Sequence, residues 1–296
     1  MENIQKNQPL RSFRLVGEKH LEPYIHLLLK TEGYEYEPEP FGSCCFKLIS
    51  EPKPLGSSWA SFFGYIYIQD RSSMLPPLAL NPPEGATVLD ICASPGSKTS
   101  FLAQLIGRSG LVLANEAQGS RLLTLRKNLE RLNLIQTATC TYKGQDLDLD
   151  YESLDYIALD PPCSGWGTVA KNPQVLKLWK DSKVDTLVGL QRLLLSQAAK
   201  LLAPGGLLIY STCTTNPQEN EEQVLFAQEN LGLEIVQLNP WPGFAFDDTP
   251  KAPGTLTVNS QASNAQGFYL ALLRKNSSSL SASFSKKALE DQNKKP

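Results

Sequence analysis

From Val88 onward, short apolar runs alternate regularly with amphipathic stretches, and this alternation leaves few possible architectures. The apolar runs have the length of strands, and two of them, Leu154–Leu159 and Leu207–Tyr210, are apolar on nearly every residue. Strands buried on both faces and separated by helices are typical of a parallel sheet that is covered by helices on both sides. The sequence therefore predicts an α/β fold built on a parallel sheet.

The predicted elements follow one another with short connections. The predicted strands are 88–91, 111–114, 137–142, 154–159, 207–210, 233–238 and 267–273. The predicted helices between them are 97–106, 118–132, 185–202 and 217–230. Pro204-Gly205-Gly206 marks the end of the longest helix, because proline and glycine do not continue a helix.

The first 80 residues have a different pattern. They contain one helical stretch near Leu21–Lys30, many prolines, and aromatic strand-like pieces such as Phe62–Ile68. We expect a small α+β domain over residues 1–80, with its boundary near Pro76–Pro83, and a larger domain over residues 81–274. The serine-rich end, residues 275–296, has the composition of a disordered tail.

Composition narrows the class of protein. The 296 residues are 41% hydrophobic and 20% charged, which is typical of a globular chain, and no apolar run approaches the ~20 residues of a membrane span. The N-terminus lacks a secretory pattern, so we expect a cytoplasmic protein with reduced thiols. Six cysteines and two histidines show no zinc-like spacing, and we expect no metal site.

The net charge of −2 is not that of a strongly basic nucleic-acid-binding protein, so any such binding would depend on local patches. Basic residues do cluster in two places. The first cluster lies on a predicted helix and the second follows the fourth predicted strand: Arg121, Arg126, Lys127 and Arg131, then Lys171, Lys177, Lys180 and Lys183.

The turn after the first large-domain strand has the features of a cofactor loop. Small residues between a strand and a helix let backbone N–H groups approach a ligand. This turn comprises Cys92, Ala93, Ser94, Pro95, Gly96, Ser97 and Lys98. It lacks the three glycines of a dinucleotide fingerprint and the two glycines of a phosphate-binding P-loop, which makes an ATP site improbable.

Acidic residues follow the next two strands. Glu116 ends the second strand, where a carboxylate can accept hydrogen bonds from ribose hydroxyls, and Asp146 follows the third, within reach of an adenine edge. Either acid alone could be an ordinary loop carboxylate. Acids at successive strand ends beside a small-residue turn predict a site for a nucleoside cofactor.

Two thiols and a carboxylate are expected at the same edge of the sheet. Asp160 and Cys163 follow the fourth strand in Asp-Pro-Pro-Cys-Ser-Gly, and Cys213 follows the fifth in Ser-Thr-Cys-Thr. In open α/β sheets the ligand crevice lies outside the carboxyl ends of the strands. This combination is suited to covalent chemistry on a pyrimidine ring.

These three motifs together resemble the NOL1/NOP2/Sun family of RNA cytosine-C5 methyltransferases. The resemblance covers about residues 55–273 and includes the segment Tyr67–Pro76 before the cofactor loop. Gly-Ser-Lys at 96–98, together with Lys171-Asn172-Pro173, is similar to the RsmF type of 16S ribosomal RNA methyltransferase. Enzymes of that type carry an additional C-terminal RNA-binding region, whereas this sequence ends soon after its last predicted strand.

The resemblance implies a class I, Rossmann-like methyltransferase sheet with S-adenosyl-L-methionine as cofactor and formation of 5-methylcytosine in RNA. Cys213 matches the family's nucleophile and Cys163 its second cysteine, while Asp160 and Lys98 match residues that contact the base. On the cofactor side, Cys92 to Lys98 would surround the methionine end and Glu116 the ribose. Asp146 would hold the adenine, and Arg121 and Asp160 match further cofactor-side positions.

The implied partner is RNA: ribosomal RNA first and transfer RNA second. No membrane partner and no second subunit are expected. The small domain is expected to help recognise the RNA, with Arg11, Arg14 and Lys19 as phosphate contacts. Trp166 could stack on the flipped base or on a neighbouring base, or it could simply pack. The sequence does not identify the cytosine, or whether naked RNA or an assembled subunit is the substrate.

Two other functions stay open. Asp160-Pro161-Pro162 could hold the exocyclic amine of an amino methyltransferase substrate, although such sites place an aromatic residue where Cys163 stands. A non-catalytic RNA-binding scaffold could keep the fold without the chemistry, although neither the cofactor loop nor either cysteine is disrupted. DNA cytosine methylation would need only the first cysteine, so Cys213 favours RNA.

Overall fold

The computed structural model describes residues 11–175, 181–249 and 251–277, with side chains omitted at 181–183. Among these residues, no helix is long and apolar enough to cross a membrane. The predicted disordered tail lies outside the described residues from 278 onward. The last strand continues through Lys275, whose buried ammonium donates to the carbonyls of Ala199 and Leu202 at 2.8 and 2.7 Å.

The N-terminal residues form a four-stranded antiparallel sheet in the order β2-β3-β1-β4. Its core consists mainly of aromatic and branched side chains, including Phe13, Ile25 and Leu29. Phe62 ends a short helix rather than opening a strand, so the predicted strand over 62–68 is wrong at its start. The elements are β1 Ser12–Leu15, α1 Glu22–Thr31, β2 Glu35–Pro38, β3 Cys45–Ser50, α2 Trp59–Phe62 and β4 Ile66–Ile68.

The larger sheet has nine strands in the order β11-β12-β13-β9-β8-β5-β6-β7, with β10 also paired to β13. Its strands are β5 Thr87–Asp90, β6 Leu111–Asn115, β7 Thr137–Cys140, β8 Leu154–Leu159, β9 Leu202–Thr212, β10 Leu233–Val236, β11 Phe246–Asp247, β12 Leu256–Val258 and β13 Phe268–Lys275. Its helices are α3 Leu75–Leu80, α4 Ser97–Ile106, α5 Gly119–Arg131, α6 Asp181–Leu201, α7 Glu221–Asn230 and α8 Ser260–Ser263.

Neighbouring residues of each central strand belong to different cores. Val88 packs with α3 and α4 on one face, whereas Leu89 packs with α6 on the other. The same division separates Ile157 from Ala158 and Leu208 from Ile209, because successive side chains of a strand point to opposite faces. The continuous apolar runs in the sequence thus reflect a sheet that is covered by helices on both faces.

The structure refines the predicted topology in two places. Strands β5 to β9 pair in parallel as expected, but β13 pairs antiparallel with β9, and β10 and β12 pair antiparallel with β13. Helix α3 lies inside the predicted small domain, yet its buried side chains pack into the larger core. Neither the antiparallel strands nor helix α3 has a distinctive sequence pattern, because tertiary contacts decide the pairing direction of a strand and the position of a short helix.

Arg14 joins the two sheets and does not face solvent, so its predicted role as a phosphate contact is wrong. The side chain is fully buried on β1 and points at α4, where its guanidinium donates to Ser100 Oγ at 2.8 Å and to Gln104 Oε1. The guanidinium carbon also lies 4.4 Å from the centroid of the Phe101 ring. Burial lowers the pKa of Arg14, and these contacts replace the water that it has lost.

A second buried arginine links the segment after β4 to the antiparallel edge of the larger sheet. Arg71 donates to Glu39 at 2.6 Å, to the carbonyl of Ser263 at 2.5 Å and to the carbonyl of Gly243 at 3.0 Å. Each domain is thereby fixed to the other by charge-assisted bonds that water screens little.

We predict that Arg14→Met lowers the free energy of unfolding by about 2–4 kcal/mol, because Ser100 and Gln104 lose a charged donor in a buried interface. Chemical denaturation measures the difference. The matched control is Arg11→Met, which removes a solvent-exposed ion pair with Glu51 and should cost less than about 1 kcal/mol. Equal losses for the two variants would contradict the proposed role of Arg14 in joining the sheets.

Candidate active site

The carboxyl ends of the parallel strands β5 to β9 meet at one edge of the large sheet, and the predicted catalytic residues lie there together. Lys98 Nζ donates to Asp160 Oδ2 at 2.6 Å, and Cys163 Sγ lies 3.2 Å from Cys213 Sγ. Ser211 Oγ donates to the other oxygen of Asp160 at 3.3 Å. The structure thus brings these four side chains together in one cluster, and their roles stay predictions.

The cofactor loop has a fixed shape because several side chains bind its backbone. Gly96 has φ of +105° and lies against Leu125, so a side chain there would be strained and crowded. Ser94 and Arg121 exchange two bonds: Arg121 Nη2 donates to the Ser94 carbonyl at 2.8 Å, and Ser94 Oγ donates to the Arg121 carbonyl at 2.9 Å. Arg121 therefore supports the loop, and it also lies 3.5 Å from Glu116.

The predicted acids differ in exposure. Glu116 is buried at the end of β6, and one of its carboxylate oxygens accepts from the Gln118 backbone N–H at 2.9 Å. Asp146 is exposed on a single 3₁₀ turn after β7. The buried carboxylate of Glu116 is suited to accept hydrogen bonds from ribose hydroxyls. The exposed carboxylate of Asp146 is suited to a more open edge of a ligand.

Asn115 is a site residue that the sequence analysis missed. Its buried amide group donates to the carbonyls of Ile91 and Tyr142, both at 3.0 Å, and accepts from the Tyr142 N–H at 2.9 Å. It thereby holds together the loops that follow β5 and β7. A polar residue that ends an otherwise apolar strand is the sequence signal that could have identified it.

The two thiols of the cysteine pair are not equivalent. The hydrogen bond from Cys163 lowers the pKa of Cys213, burial and the charge of Asp160 oppose this effect, and the nearby Lys98 ammonium reinforces it. The same hydrogen bond and burial raise the pKa of Cys163. These opposite shifts favour Cys213 as the thiolate, which is the nucleophilic form, and Cys163 as the thiol.

Lys98 is the cation of the site. Burial alone would lower the pKa of Lys98, but the charge and the hydrogen bond of Asp160 outweigh this effect and raise it. The ammonium also lies 5.2 Å from the centroid of the Phe268 ring. Lys98 is thus held charged at the point where Asp160 and the cysteine pair meet.

A buried carboxylate, Glu219, fixes the backbone that carries both cysteines, and the sequence analysis missed it. It accepts from Ser164 N at 2.9 Å, from Ser164 Oγ at 2.5 Å and from Gln191 Nε2 at 3.0 Å. Asn216 also donates to it at 3.2 Å. Because Ser164 follows Cys163 and Asn216 lies three residues beyond Cys213, Glu219 holds the two thiol-bearing loops in one network.

The two clusters of basic residues noted in the sequence lie in different surroundings. Arg126 donates to Thr139 on the surface, and Arg131 donates to the carbonyl of Ser61 at the domain interface, so the first cluster does not form a single patch. Lys171 pairs with Asp70 at 2.8 Å near the crevice. Lys177, Lys180 and the side chain of Lys183 lie outside the described residues, so the second cluster stays a prediction.

The fold and this site define a class I methyltransferase architecture, in which a small-residue loop, strand-end acids and a thiol pair share one edge of the sheet. Residues 77–274 match the 16S rRNA methyltransferase RsmB/F family. The chain belongs to that family. The predicted family and fold class are confirmed, and the family supports S-adenosylmethionine as the cofactor.

Sequence identity to individual relatives supports this family assignment. The chain is 37% identical over 280 residues to ribosomal RNA small subunit methyltransferase F of Shewanella amazonensis, covering 91% of this chain and 59% of that protein. It is 42% identical over 262 residues to the protein of that name from Salmonella heidelberg, covering 85% of this chain and 54% of the relative. The chain thus spans less than two thirds of the length of these relatives.

Solved structures show the same fold. A methyltransferase homologue from Pyrococcus horikoshii has a TM-score of 0.76 and 31% identity, covering 90% of this chain and 87% of its own. NSun6 from the same organism has a TM-score of 0.81, covering 91% of this chain and 92% of its own, and at 21% identity it is similar in fold.

We predict that Glu219→Gln lowers the free energy of unfolding by about 1–3 kcal/mol, because an amide presents an N–H group to donors that need an acceptor. Chemical denaturation checks this prediction. Glu229→Gln on the exposed end of α7 is the control and should change stability by less than about 0.5 kcal/mol. An unchanged stability in Glu219→Gln would show that the network does not depend on the carboxylate.

A second prediction concerns Asp90, which is buried and accepts from Thr99 Oγ1 at 2.7 Å. Burial raises the pKa of Asp90 to about 6, so stability is lost as pH rises from the unfolded pKa of about 4 through 6. Asp90→Asn removes this loss. Relative to wild type, the variant should gain about 2 kcal/mol between pH 4 and pH 7.

Denaturation at both pH values measures the gain for Asp90→Asn. The exposed residue Asp155 provides the control, since Asp155→Asn should change stability by less than about 0.5 kcal/mol at either pH. A difference between Asp90→Asn and wild type that is the same at pH 4 and pH 7 would contradict the raised pKa of Asp90.

Proposed function

We propose that this chain transfers a methyl group from S-adenosylmethionine to C5 of a cytosine in RNA, with ribosomal RNA as the first candidate. The observation that carries the proposal is the cysteine pair, with 3.2 Å between the sulfurs, next to the Lys98–Asp160 ion pair. The names of the relatives, ribosomal RNA small subunit methyltransferase F, support the substrate class. Transfer RNA is the second candidate.

The first proposed step uses the thiolate of Cys213 together with Asp160 and Lys98. Cytosine C5 is a weak nucleophile, and addition of the Cys213 thiolate to C6 turns the C5–C6 bond into an enamine-like nucleophile. Asp160 would hydrogen-bond ring nitrogen N3 and the exocyclic amine, sharing a proton with the ring while charge develops there. Lys98, held against Asp160, would keep that carboxyl in place and contact the base.

Release requires that the C5 proton leaves and that the C6–S bond breaks, which regenerates the Cys213 thiolate. Cys163 lies beside that sulfur, so it, or a water that it positions, is the candidate for this step. The target base must leave its stack to expose C5 and C6, which favours loops and single-stranded stretches of RNA.

The residues present are suited to the proposed cofactor. The loop Cys92–Lys98 would surround the methionine end, and Glu116 has one carboxylate oxygen engaged by Gln118 and a second for a ribose hydroxyl. Asp146 on its exposed turn would hold the adenine. Arg121 fixes the loop through its bond to the Ser94 carbonyl, and Asp160 contacts Lys98 at the end of the loop. When bound, S-adenosylmethionine supplies an electrophilic methyl group on a sulfonium.

The proposal predicts that Cys163→Ala, expressed in cells, accumulates an RNA-linked band that survives denaturation, because Cys213 still attacks C6 but release is blocked. The wild type and Cys163→Ala/Cys213→Ala are the controls and should show no such band. Sequencing of the trapped RNA would identify the ribosomal or transfer RNA target.

Two other outcomes favour other functions. Methyl transfer that survives Cys213→Ala without any adduct would contradict the covalent mechanism and favour an amino methyltransferase that uses Asp160-Pro161-Pro162. Absence of both the adduct and methyl transfer to any RNA would favour an RNA-binding scaffold.

A further inference from the structure

A depression of about 400 Å³ with a mixed polar and apolar lining lies beside the cysteine pair, and Trp166 is the one residue with a role suggested above among its described lining residues. Its walls come from the loop after Cys163, from the residues after Cys213 and from α8. The lining residues that matter for recognition are Trp166, Gly167, Thr215, Ser260, Gln261 and Asn264. Its volume is in the range of small-molecule sites.

The depression is coupled directly to the backbone that carries the proposed nucleophile. The Gly167 N–H donates to the carbonyl of Cys213 at 3.0 Å, and the Gly267 N–H donates to the carbonyl of Gly167 at 3.0 Å. A Cβ at Gly167 would lie 2.2 Å from the Gly267 oxygen and 2.8 Å from the Cys213 oxygen. Only glycine fits this close approach, so the wall and the Cys213 loop are one packed unit.

The opposite wall is equally well fixed. Asn259 caps α8 by accepting from the Ala262 N–H at 2.9 Å, and the buried Arg71 donates to the carbonyl of Ser263 at 2.5 Å. Asn264, which follows the helix, has φ of +53°, a conformation that asparagine tolerates better than most residues. The polar side chains of this wall are therefore presented from a preformed turn.

The chemistry of the lining indicates a nucleobase. Trp166 is half-buried and offers an aromatic face, and its indole N–H is buried without a hydrogen-bond partner among the described residues. Gln261 and Asn264 are exposed amides, the groups that pair with the donor and acceptor edges of bases. Among the described lining residues there is no carboxylate, so a phosphate is not repelled there.

We propose that this depression is a second nucleobase subsite, which holds the unstacked base of a nucleotide next to the target cytosine and contributes to sequence selection. The inference rests on the proposed RNA methyltransferase function. Flipping of the target removes a stacking partner from its neighbour, and Trp166 supplies a replacement. Stacking of a base on an aromatic side chain changes affinity by about 5- to 150-fold.

The test uses short RNA oligonucleotides that carry one 5-fluorocytidine between randomised flanking nucleotides, incubated with the full chain and S-adenosylmethionine. After methyl transfer, C5 of this base carries fluorine and methyl and has no proton to lose, so the bond from Cys213 to C6 persists. Sequencing of the RNA in the trapped adducts then reports which neighbours were selected.

For wild type we expect enrichment of particular bases at one position beside the 5-fluorocytidine. An abasic nucleotide at that position should slow trapping at limiting RNA by about tenfold or more. Trp166→Ala should lose this sensitivity, Trp166→Phe should keep most of it, and Gln261→Ala should change which base is preferred. The control is Trp59→Ala, an exposed tryptophan outside the depression, which should behave as wild type.

The two hypotheses fail in different ways. Trapping by wild type that shows no preference among neighbours and tolerates an abasic nucleotide would overturn the subsite and leave the proposed function intact. The same is true if Trp166→Ala and Gln261→Ala both fold and keep the neighbour preference and the abasic sensitivity of wild type. Absence of an adduct with every RNA in the pool would contradict the proposed function, and the subsite with it.

Discussion

The parallel pairing of β8 with β9 is the constraint on which the site depends. The register places Leu159 opposite Tyr210, so Asp160 and Ser211, the next residue of each chain segment, lie at the same height of the sheet. Because the strands run in the same direction, the loops that follow them emerge at one edge, and two cysteines 50 positions apart lie 3.2 Å from each other. An antiparallel pair could not place both loops there.

Burial gives this arrangement its chemical asymmetry. Lys98 and Asp160 compensate each other's charge where water has limited access, and the hydrogen bond from Cys163, with a smaller contribution from the ammonium, lowers the pKa of Cys213. Behind the thiols, the Glu219 carboxylate joins the two loops to each other through bonds that leave little freedom for the sulfur positions. Two separate networks therefore act on the thiols. The contacts among Lys98, Asp160 and the two cysteines, at the mouth of the crevice, favour ionisation of one thiol. The Glu219 network beneath them fixes the positions of the two sulfurs.

The local pattern was sufficient to predict some parts of this structure but not others. The apolar runs predict β5 to β9 and the convergence of Asp160, Cys163 and Cys213, because parallel strands that alternate with helices leave few topologies. The roles of Arg14 and Glu219 could not be predicted in this way. Their importance comes from burial by residues distant in sequence, such as Ser100 for Arg14, and a single sequence does not report such contacts.

The central claim is that Cys213, and not Cys163, is the thiolate of the pair. The most direct measurement is the pH dependence of alkylation by iodoacetamide at each cysteine of the full chain, quantified by mass spectrometry, for wild type and Lys98→Met. We predict that Cys213 reacts before Cys163, at a pH below the ordinary thiol pKa of about 8.5, and that Lys98→Met raises this pH. Faster reaction at Cys163, or reaction of both thiols at the ordinary pH, would contradict it.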